Sequence, residues 1–265
     1  MTFQESGRIL RVPFSRIKFI ALFSETLNLL RQSKAVIFDL DGTLINSLDV
    51  WSRVDATLIG SLTGRVPPSH ELHAFQQQSI ARHKSLPNPY TGYCADLGLA
   101  FGIDLPGEQI HRKRYEISRQ LLTSEVHLRD GAAELLHTLK ALGKRLALAT
   151  TTRRANVDIY SDENMNIRAQ VHFRDVFESM LAMEDVERKK PDPEVYEKTL
   201  QVLGLNADEC VVIEDSLEGV RAARAAGIPV VAVAEKWSAS DSEQIGQLAL
   251  TVCPDLHAVL QLFAG

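Results

Sequence analysis

The sequence predicts an α/β protein built on a doubly wound parallel sheet, and two observations carry this prediction. From residue 34 onward, short β-branched apolar runs alternate with helix-like segments, which is the pattern of parallel strands joined by helices. Residues 50–125 interrupt the alternation, because they contain helical patterns separated by loops and no convincing strand. We therefore expect a Rossmann-like sheet domain that carries an inserted α-helical domain after its first strand.

Six segments are predicted as strands because they are short, apolar and rich in β-branched residues. They are 35–39, 145–150, 179–183, 210–215, 229–234 and, with a weaker pattern, 249–253. Helices are predicted between them where an acidic start, apolar residues at helical spacing and a glycine stop follow one another. The clearest are 130–144, 192–205 and 216–227.

This pattern divides the chain into three predicted parts: an N-terminal extension of unclear role (1–33), an α/β core (34–49 and 126–265) and a helical domain (50–125). The extension has basic residues among its apolar ones: Arg8, Arg11, Arg16 and Lys18. It therefore has alternative interpretations, namely an amphipathic segment packed on the core, a start site placed too far upstream, or an organellar transit segment or membrane-surface helix. No apolar run reaches the roughly 20 residues that a membrane span needs.

Composition narrows the classes of partner and compartment. The 265 residues carry a formal net charge of −5, whereas nucleic-acid binding usually requires a basic face, so no nucleic-acid partner is predicted. The three cysteines lie far apart and form no C-x-x-C motif, which argues against a disulfide framework or a zinc site. We expect a cytoplasmic protein, and the sequence does not predict its oligomeric state.

Carboxylates follow two of the predicted strands. Asp39 and Asp41 end the first strand, and Glu214 and Asp215 end the fourth. In an open parallel sheet the carboxyl ends of the strands form the crevice in which ligands bind. Four carboxylates there would repel one another without a cation, and oxygen-only ligands favour Mg²⁺. The sequence therefore predicts a magnesium site formed by these four residues.

Other residues near the same strand ends suit a phosphate group. Thr150, Thr151 and Thr152 end the second strand and can supply hydroxyl and backbone N–H groups, while Lys189 or Lys190 can supply a positive charge. Each motif alone also has a structural interpretation, as a helix cap for the threonines and a solvated charge run for the lysines. Their combination favours phosphate chemistry.

The two aspartates of the first strand can divide that chemistry between them. In a continuing strand their side chains would point to opposite faces, so the chain must turn here, which Gly42 permits. One carboxylate can attack phosphorus, while the other protonates the leaving oxygen and later deprotonates water. A lone Asp-Gly pair is often only a turn, and the function therefore rests on the other motifs.

The motifs DLDGT, Thr150 after LALA, Lys190 in KKPDP, and VVIEDS resemble the four motifs of the haloacid dehalogenase superfamily, in order, across residues 34–235. The resemblance implies that Asp39 is the nucleophile that forms an aspartyl-phosphate and that Asp41 is the general acid/base, whose backbone carbonyl also binds Mg²⁺. It further implies a site completed by Thr150 on the phosphoryl group, Lys190 as the charge-neutralising residue, and Glu214 and Asp215 on the metal. Lys189 is the weaker candidate, because the lysine of the family directly precedes the proline.

Residues 50–125 resemble the cap of the subgroup that contains β-phosphoglucomutase and phosphoglycolate phosphatase, where the cap closes over the substrate and sets specificity. The implied function is a Mg²⁺-dependent phosphatase acting on a small phosphorylated metabolite, a sugar or polyol phosphate, through an aspartyl-phosphate. Further phosphate- and substrate-binding residues are predicted near the motifs: Gly42, Thr43, Thr151, Thr152 and Arg153. Either Arg153 or Arg154 is a candidate for a second anionic group of the substrate.

Two alternatives stay open. β-Phosphoglucomutases follow the first motif with D-T-x-x-x-H, whereas this sequence places Ser47 and Trp51 at the threonine and histidine positions, which favours hydrolysis over a mutase reaction. A non-catalytic binding protein with the same fold is the other alternative. In the cap, we expect Trp51 to pack in the hinge, and most of the polar residues to be merely solvated. These are His70, His73, Arg82, His83 and Lys84.

Overall fold

The computed structural model describes residues 2–5, 8–11, 24–86 and 88–264. Within the N-terminal extension, β1 (Thr2–Glu5) and β2 (Arg8–Arg11) form an antiparallel pair, and residues 24–32 form a helix, α1. The expectations that concern Arg16 and Lys18 lie outside the described residues. The role of the extension therefore stays a prediction.

Six parallel strands form the central sheet in the order β5-β4-β3-β6-β7-β8. Each coincides with a predicted strand: β3 (Ala35–Phe38), β4 (Arg145–Ala149), β5 (Ser179–Leu181), β6 (Cys210–Glu214), β7 (Val230–Val233) and β8 (Thr251–Cys253). From β3, the first strand of this sheet along the chain, β4 and β5 follow on one side and β6, β7 and β8 follow on the other. The predicted fold class is confirmed, and β3 lies at the centre of the sheet, between β4 and β6.

Helices follow the strands as the sequence pattern predicts. Those of the core are α6 (Ala132–Ala141), α7 (Arg154–Asp158), which continues as a π-helix (Ile159–Glu163), α8 (Met165–Arg168), α9 (Phe173–Val176), α10 (Glu194–Leu203), α11 (Leu217–Ala225), α12 (Ser242–Leu248) and α13 (Leu256–Ala264). Four longer helices lie between β3 and β4: α2 (Leu48–Thr63), α3 (Ser69–Arg82), α4 (Pro89–Phe101) and α5 (Gly107–Ser124). Within the described chain, no helix is long and apolar enough to cross a membrane.

Alternate residues of the strands face two separate hydrophobic layers, because successive side chains of a strand point to opposite faces. Val36 and Phe38 of β3 belong to the layer covered by α6, α13 and the π-helix. Ala35 and Ile37 belong to the layer covered by α10, α11 and α12. All four side chains are fully buried. The short central strands are thus apolar on both faces, as a sheet covered by helices on both sides requires.

The four helices between β3 and β4 have a hydrophobic core of their own, to which α2, α3, α4 and α5 contribute Leu58, Leu72, Leu97 and Ile110. The chain leaves and re-enters the sheet domain side by side. Ile45 forms an antiparallel bridge with Leu128, and the N–H of Arg129 donates to the carbonyl of Leu44 at 2.8 Å. Val50, Val54 and Leu122 belong to the hydrophobic layer of the sheet domain that contains Val36 and Phe38. The predicted boundaries between cap and core, at residues 50 and 125, therefore stay a prediction.

Candidate active site

Three neighbouring strands bring the predicted motifs to one edge of the sheet. Phe38, the last residue of β3, pairs with Leu148 of β4 and with Ile213 of β6. The backbone N–H of Asp39 continues the ladder by donating to the carbonyl of Ile213 at 3.0 Å. The residues that follow these strands therefore meet in one crevice, as expected at the carboxyl ends of a parallel sheet.

Lys190 links two of the carboxylates in this crevice. Its Nζ donates to Asp39 Oδ1 at 2.6 Å, to Glu214 Oε1 at 2.7 Å and to the carbonyl of Ala149 at 3.0 Å. Its side chain is only 5 % exposed, and Nζ lies 4.9 Å from the ring centroid of Tyr196. Burial lowers the pKa of Lys190, but the charges of Asp39 and Glu214 outweigh burial and raise it well above its usual value. Lys190 is therefore a fixed positive charge against Asp39.

Glu214 is fully buried, and both of its carboxylate oxygens accept hydrogen bonds. Oε1 accepts from Lys190 and from the hydroxyl of Tyr196 at 3.1 Å. Oε2 accepts from the N–H groups of Asp215 at 2.9 Å and Ser216 at 3.0 Å, and from the Ser216 hydroxyl at 3.0 Å. This network fixes Glu214 in one orientation, and through Glu214 it fixes Lys190.

Gly219, in the first turns of α11, leaves the space that Glu214 occupies, because a Cβ atom at this position would overlap the carboxylate. We expect Gly219→Ala to lower the free energy of unfolding by about 1–3 kcal/mol, the usual result of overpacking, and to lower any activity of this site by displacing Glu214. Gly246→Ala in α12 is the matched control. Its Cβ would meet no atom within 4 Å, and alanine favours a helix by up to about 1 kcal/mol.

Thermal denaturation and phosphate release of the two glycine variants check this prediction. A Gly219→Ala protein as stable and active as the control would contradict the close approach of Gly219 to Glu214.

Asp39, Glu214 and Asp215 form a buried carboxylate cluster, with one oxygen of each lying within 4.8 Å of the others. Burial raises the pKa of Asp39 to about 7 against the opposing charge of Lys190. Burial and the charges of Glu214 and Asp39 raise the pKa of Asp215 well above its usual value. Thr43 donates to Asp215 Oδ1 at 2.7 Å, but no hydrogen bond from the described residues reaches Oδ2 of Asp39 or of Asp215. The cluster has spare oxygen ligands and too little positive charge, which fits a hard divalent cation.

Asp41 lies apart from this cluster. Ser47, in the linker to α2, donates to Asp41 Oδ1, and Thr152, after β4, donates to Asp41 Oδ2. Burial raises the pKa of Asp41, while the two hydroxyl donors and the charge of Lys190 oppose the shift. The two aspartates of the first motif therefore have different hydrogen-bond partners: Asp39 accepts from a lysine beside other carboxylates, whereas Asp41 accepts from two hydroxyl groups. The metal contact predicted for the backbone carbonyl of Asp41 stays a prediction.

The threonines after β4 form a short loop beside Asp39 and Asp41. Thr150 is buried, its N–H donates to the carbonyl of Leu181 at 3.0 Å, and its hydroxyl oxygen accepts from the N–H of Thr152 at 3.1 Å. Thr151, Thr152 and Arg153 line a neighbouring cavity. The loop thus presents hydroxyl groups to the space next to the carboxylates, and its role in phosphate binding stays a prediction.

Gly42 and Thr43 have structural tasks of their own. Gly42 has a φ of +86°, which favours glycine, and a Cβ at this position would overlap Asp215. The guanidinium of Arg129 donates to the carbonyl of Gly42 and, at 2.9 Å, to that of Ala234, which ties the turn to the loop after β7. The Thr43 hydroxyl is engaged with Asp215. Direct phosphate contacts of Gly42 and Thr43 stay predictions.

A cavity of about 230 Å³ lies between the helical domain and the threonine loop. The helical domain contributes Trp51, Tyr90, His111, Arg114 and Tyr115, and the sheet domain contributes Thr151, Thr152, Arg153, Asn156, Met183 and Lys189. Three aromatic side chains stand on the side of the helical domain, and the charged groups of the lining are basic. The cavity adjoins the carboxylate crevice at Thr152, which lines the cavity and donates to Asp41.

The five polar cap residues considered from the sequence do not line this cavity. Arg82 and His83 bind Asp96 at 2.8 and 3.1 Å, and His73 bonds with Gln77 at 3.0 Å. Of the two arginines after the threonines, Arg153 lines the cavity. Arg154 instead binds Asp185 and the carbonyl of Met180.

Sequence analysis missed Arg114, Asp55 and Asn156. The signal for Arg114 was present, because it lies in the buried stripe of α5 together with Ile110, Ser118 and Leu122, at a spacing of four. Asp55 lies likewise among the buried residues of α2. An acidic and a basic residue in the buried stripes of two helices, here Asp55 and Arg114, indicate a buried ion pair. The sequence around Arg114, HRKRYE, suggests instead a charged helix face in contact with solvent.

This arrangement defines a class of protein, an α/β enzyme with a parallel sheet. The carboxyl ends of its strands hold an acidic cluster, a buried lysine and a separate aspartate, and a helical domain lies next to them. The model of the haloacid dehalogenase-like hydrolase family matches residues 36–233. The chain belongs to this family, and the predicted resemblance is confirmed.

The relatives of the chain include phosphatases. It is 32 % identical to protein CbbY of Rhodobacter capsulatus, over 85 % of this chain and 94 % of that protein. It is 29 % identical to validoxylamine A 7′-phosphate phosphatase of Streptomyces hygroscopicus subsp. limoneus, over 74 % of this chain and 83 % of that protein. The structure of CbbY from Rhodobacter sphaeroides in complex with phosphate aligns with a TM-score of 0.63 at 26 % identity, over 84 % of this chain and 95 % of that one. The chain is a hydrolase of the phosphatase type.

Proposed function

We propose that the protein is a Mg²⁺-dependent phosphatase that hydrolyses a sugar or polyol phosphate through an aspartyl-phosphate on Asp39. One observation carries the proposal: Asp39 is held by Lys190 within the acidic cluster, while Ser47 and Thr152 bind Asp41, which lies outside that cluster. This difference supports Asp39 as the nucleophile and Asp41 as the group that transfers protons.

In the proposed reaction, the Asp39 carboxylate attacks phosphorus as the bond to the substrate oxygen breaks. Protonated Asp41 gives its proton to the leaving oxygen, so the products of this step are the free alcohol and phosphorylated Asp39. Asp41, now a carboxylate, then takes a proton from water as that water attacks phosphorus, which releases inorganic phosphate and regenerates Asp39. Lys190 offsets the negative charge on Asp39 and the phosphoryl oxygens, and the threonine loop supplies hydrogen-bond donors to those oxygens.

Asp39, Glu214 and Asp215, with the backbone carbonyl of Asp41, are the proposed metal ligands. Since both oxygens of Glu214 already accept hydrogen bonds, we propose direct ligation by Asp39 and Asp215, with Glu214 acting through water. When bound, Mg²⁺ would neutralise charge on the phosphoryl oxygens and on the buried carboxylates.

The organic part of the substrate is proposed to bind in the cavity below the helical domain. Asn156 supports a hydroxylated substrate, because its side chain is 95 % buried, lines the cavity and has an oxygen with no hydrogen-bond partner among the described residues. The aromatic walls suit the apolar faces of a sugar. The name of the validoxylamine A 7′-phosphate phosphatase states a phosphorylated compound, which supports a phosphorylated small molecule as the substrate. The three buried free cysteines support a reducing, cytoplasmic location.

Phosphate release from a panel of sugar and polyol phosphates, with Mg²⁺ and with EDTA, tests this proposal. We expect turnover that EDTA abolishes and Mg²⁺ restores. We also expect Mg²⁺ alone to raise the melting temperature, because it relieves repulsion among the three buried carboxylates. An isomeric phosphosugar in place of free phosphate would indicate a mutase, and failure to hydrolyse the panel or a generic aryl phosphate would favour the non-catalytic alternative. Turnover that is insensitive to EDTA would contradict the metal proposal.

A further inference from the structure

The turn that follows β3 is tightly restricted at Gly42. The N–H of Gly42 donates to the carbonyl of Ile45 at 2.9 Å, which closes the turn. The carboxylate of Asp215 occupies the space that a Cβ atom of residue 42 would need, and the φ of +86° is one that favours glycine. Asp41 directly precedes Gly42 in the chain. The orientation of this turn therefore sets the direction in which the Asp41 side chain leaves the backbone.

Arg129 holds the same turn through the carbonyl of Gly42. Its Nη1 donates to that carbonyl, and its Nη2 donates to the carbonyl of Ala234 at 2.9 Å. Nη1 also lies 3.6 Å from Glu235 Oε2, and the side chains of Arg129 and Glu235 are 17 % and 15 % exposed. A planar guanidinium that binds two carbonyls beside a carboxylate is restricted in its plane as well as in its position. Arg129 is therefore a rigid support for the turn.

The backbone of Arg129 binds the turn as well. Its N–H donates to the carbonyl of Leu44 at 2.8 Å, two residues beyond the carbonyl that its side chain holds. Further along the same pair of segments, the N–H of Asn46 donates to the carbonyl of His127 at 3.1 Å. Arg129 thus lies on the segment that returns from the helical domain, and it connects that segment to the turn that carries Asp41.

We infer that Arg129 is a positioning residue for Asp41. By holding the carbonyl of Gly42 it keeps the turn, and with it the Asp41 carboxyl group, where its proton reaches the leaving oxygen of the substrate. The Asp41 side chain itself accepts from Ser47 and Thr152, so Arg129 acts on it through the backbone. The inference rests on the proposed function, in which Asp41 is the general acid, and adds to it a residue outside the four sequence motifs.

The test uses two aryl phosphates that differ in their need for an acid. Dinitrophenolate leaves 2,4-dinitrophenyl phosphate without protonation, whereas phenolate, a more basic leaving group, leaves phenyl phosphate with the help of an acid. The quantity measured is the leaving-group ratio, which is kcat/KM for 2,4-dinitrophenyl phosphate divided by kcat/KM for phenyl phosphate. Because kcat/KM includes only the steps up to the release of the phenol, the later hydrolysis of the aspartyl-phosphate does not affect this ratio.

Two variants define the expected effect. Asp41→Asn sets the scale and should raise the leaving-group ratio about 100-fold or more, because general acid catalysis contributes about 10²- to 10⁴-fold. Arg129→Met/Glu235→Gln removes both charges of the ion pair, so that only the contacts with the two carbonyls are lost without an unpaired buried charge. We expect this double variant to raise the ratio about 10-fold, since a displacement of about 1 Å can cost up to about 10²-fold in rate.

Lys236→Met is the matched control. Lys236 follows Glu235 in the loop after β7 and binds Asp49 of α2, so this variant breaks a different link between the same loop and the helical domain. The leaving-group ratio of the control should stay near the wild-type value. Arg129→Lys keeps a positive charge near Glu235 but lacks the planar pair of donors, and it should raise the ratio by less than the double variant. Circular dichroism and the melting temperature check that each variant folds, and Arg129→Lys remains informative if the double variant does not fold.

The outcomes separate this inference from the proposed function. If Asp41→Asn raises the leaving-group ratio but the Arg129 variants lower both values of kcat/KM equally or not at all, the phosphatase proposal stands and the inference about Arg129 is wrong. A rise in Lys236→Met as large as that in the Arg129 variants would also contradict it. If Asp41→Asn leaves the ratio unchanged, Asp41 is not the general acid, and the inference fails with that part of the proposed function. If the wild-type protein releases phosphate from neither compound, the proposed function itself fails.

Discussion

Replacement of Asp39 by asparagine is expected to abolish phosphate release, with a decrease in kcat of roughly 10⁴-fold or more. The amide keeps the shape of the side chain and can still accept a hydrogen bond from Lys190, so the protein should fold. It lacks the negative charge and the nucleophilicity that attack on phosphorus requires. The exposed Asp175 of α9 provides a matched control, and Asp175→Asn should keep normal turnover.

Steady-state phosphate release under saturating Mg²⁺ checks this prediction. If Asp39→Asn retained more than a few per cent of the wild-type rate, a different group or a water molecule would have to be the nucleophile. The melting temperature of the variant shows whether any loss of activity comes from unfolding instead.

Removal of Lys190 should have the second large effect, and it should affect both stability and activity. Lys190→Met leaves Asp39 and Glu214 buried without the cation that both contact, and breaking a buried pair in this way usually costs about 3–5 kcal/mol. We expect the free energy of unfolding to fall by this order and kcat to fall roughly 10³-fold, because charge on the phosphoryl group is no longer offset. Lys189→Met is the control for the neighbouring lysine, which lines the cavity and has no direct contact with Asp39.

Urea denaturation in Mg²⁺-free buffer, together with phosphate release in Mg²⁺, separates the two effects. In the double variant Lys190→Met/Glu214→Gln, the loss of one buried charge should recover part of the stability but not the activity. Equal losses of activity in the Lys189 and Lys190 variants would contradict the assignment of the third motif to Lys190.

The sheet and its carboxylates could be predicted from the sequence because both depend on short-range patterns. A central strand buried on both faces is recognisable from a short, mainly apolar run that contains Val and Ile, as in β3 (AVIF) and β6 (CVVIE). The position of Asp39 and Glu214 at the same edge then follows from the geometry of a parallel sheet, without any knowledge of side-chain contacts. The same reasoning holds for Thr150, which follows β4.

The cap residues could not be predicted in this way, because their roles depend on which helix faces meet. Arg114 and Asp55 are 59 positions apart, and only the packing of α5 on α2 brings them together. Arg82 and His83 belong to the group that the sequence predicts to be mostly solvated, and both bind Asp96 within the cap. A solvated and a buried arginine look the same unless the helical stripe that contains them is traced.

Trp51 illustrates the same limit. Its position after the first motif suggested packing in the hinge, and it does pack against the core layer, but it also lines the cavity and lies over Arg114. Ser47, at the position where β-phosphoglucomutases have threonine, donates to Asp41. The hinge therefore has a hydroxyl group that binds Asp41, as a threonine at this position could. At the position where the mutases have histidine, this chain has Trp51.

Trapping of the covalent intermediate tests the central claim most directly. In Asp41→Asn, a substrate with a good leaving group, 2,4-dinitrophenyl phosphate, needs no acid for the first step, whereas the second step lacks its base. Mixing this variant with the substrate in a stopped-flow instrument should therefore give a burst of one dinitrophenolate per enzyme, followed by very slow turnover. Mass spectrometry after acid quench should find one phosphoryl group on the peptide that contains Asp39. A variant that shows no burst and no phosphorylated Asp39, while still releasing phosphate steadily, would contradict the aspartyl-phosphate mechanism.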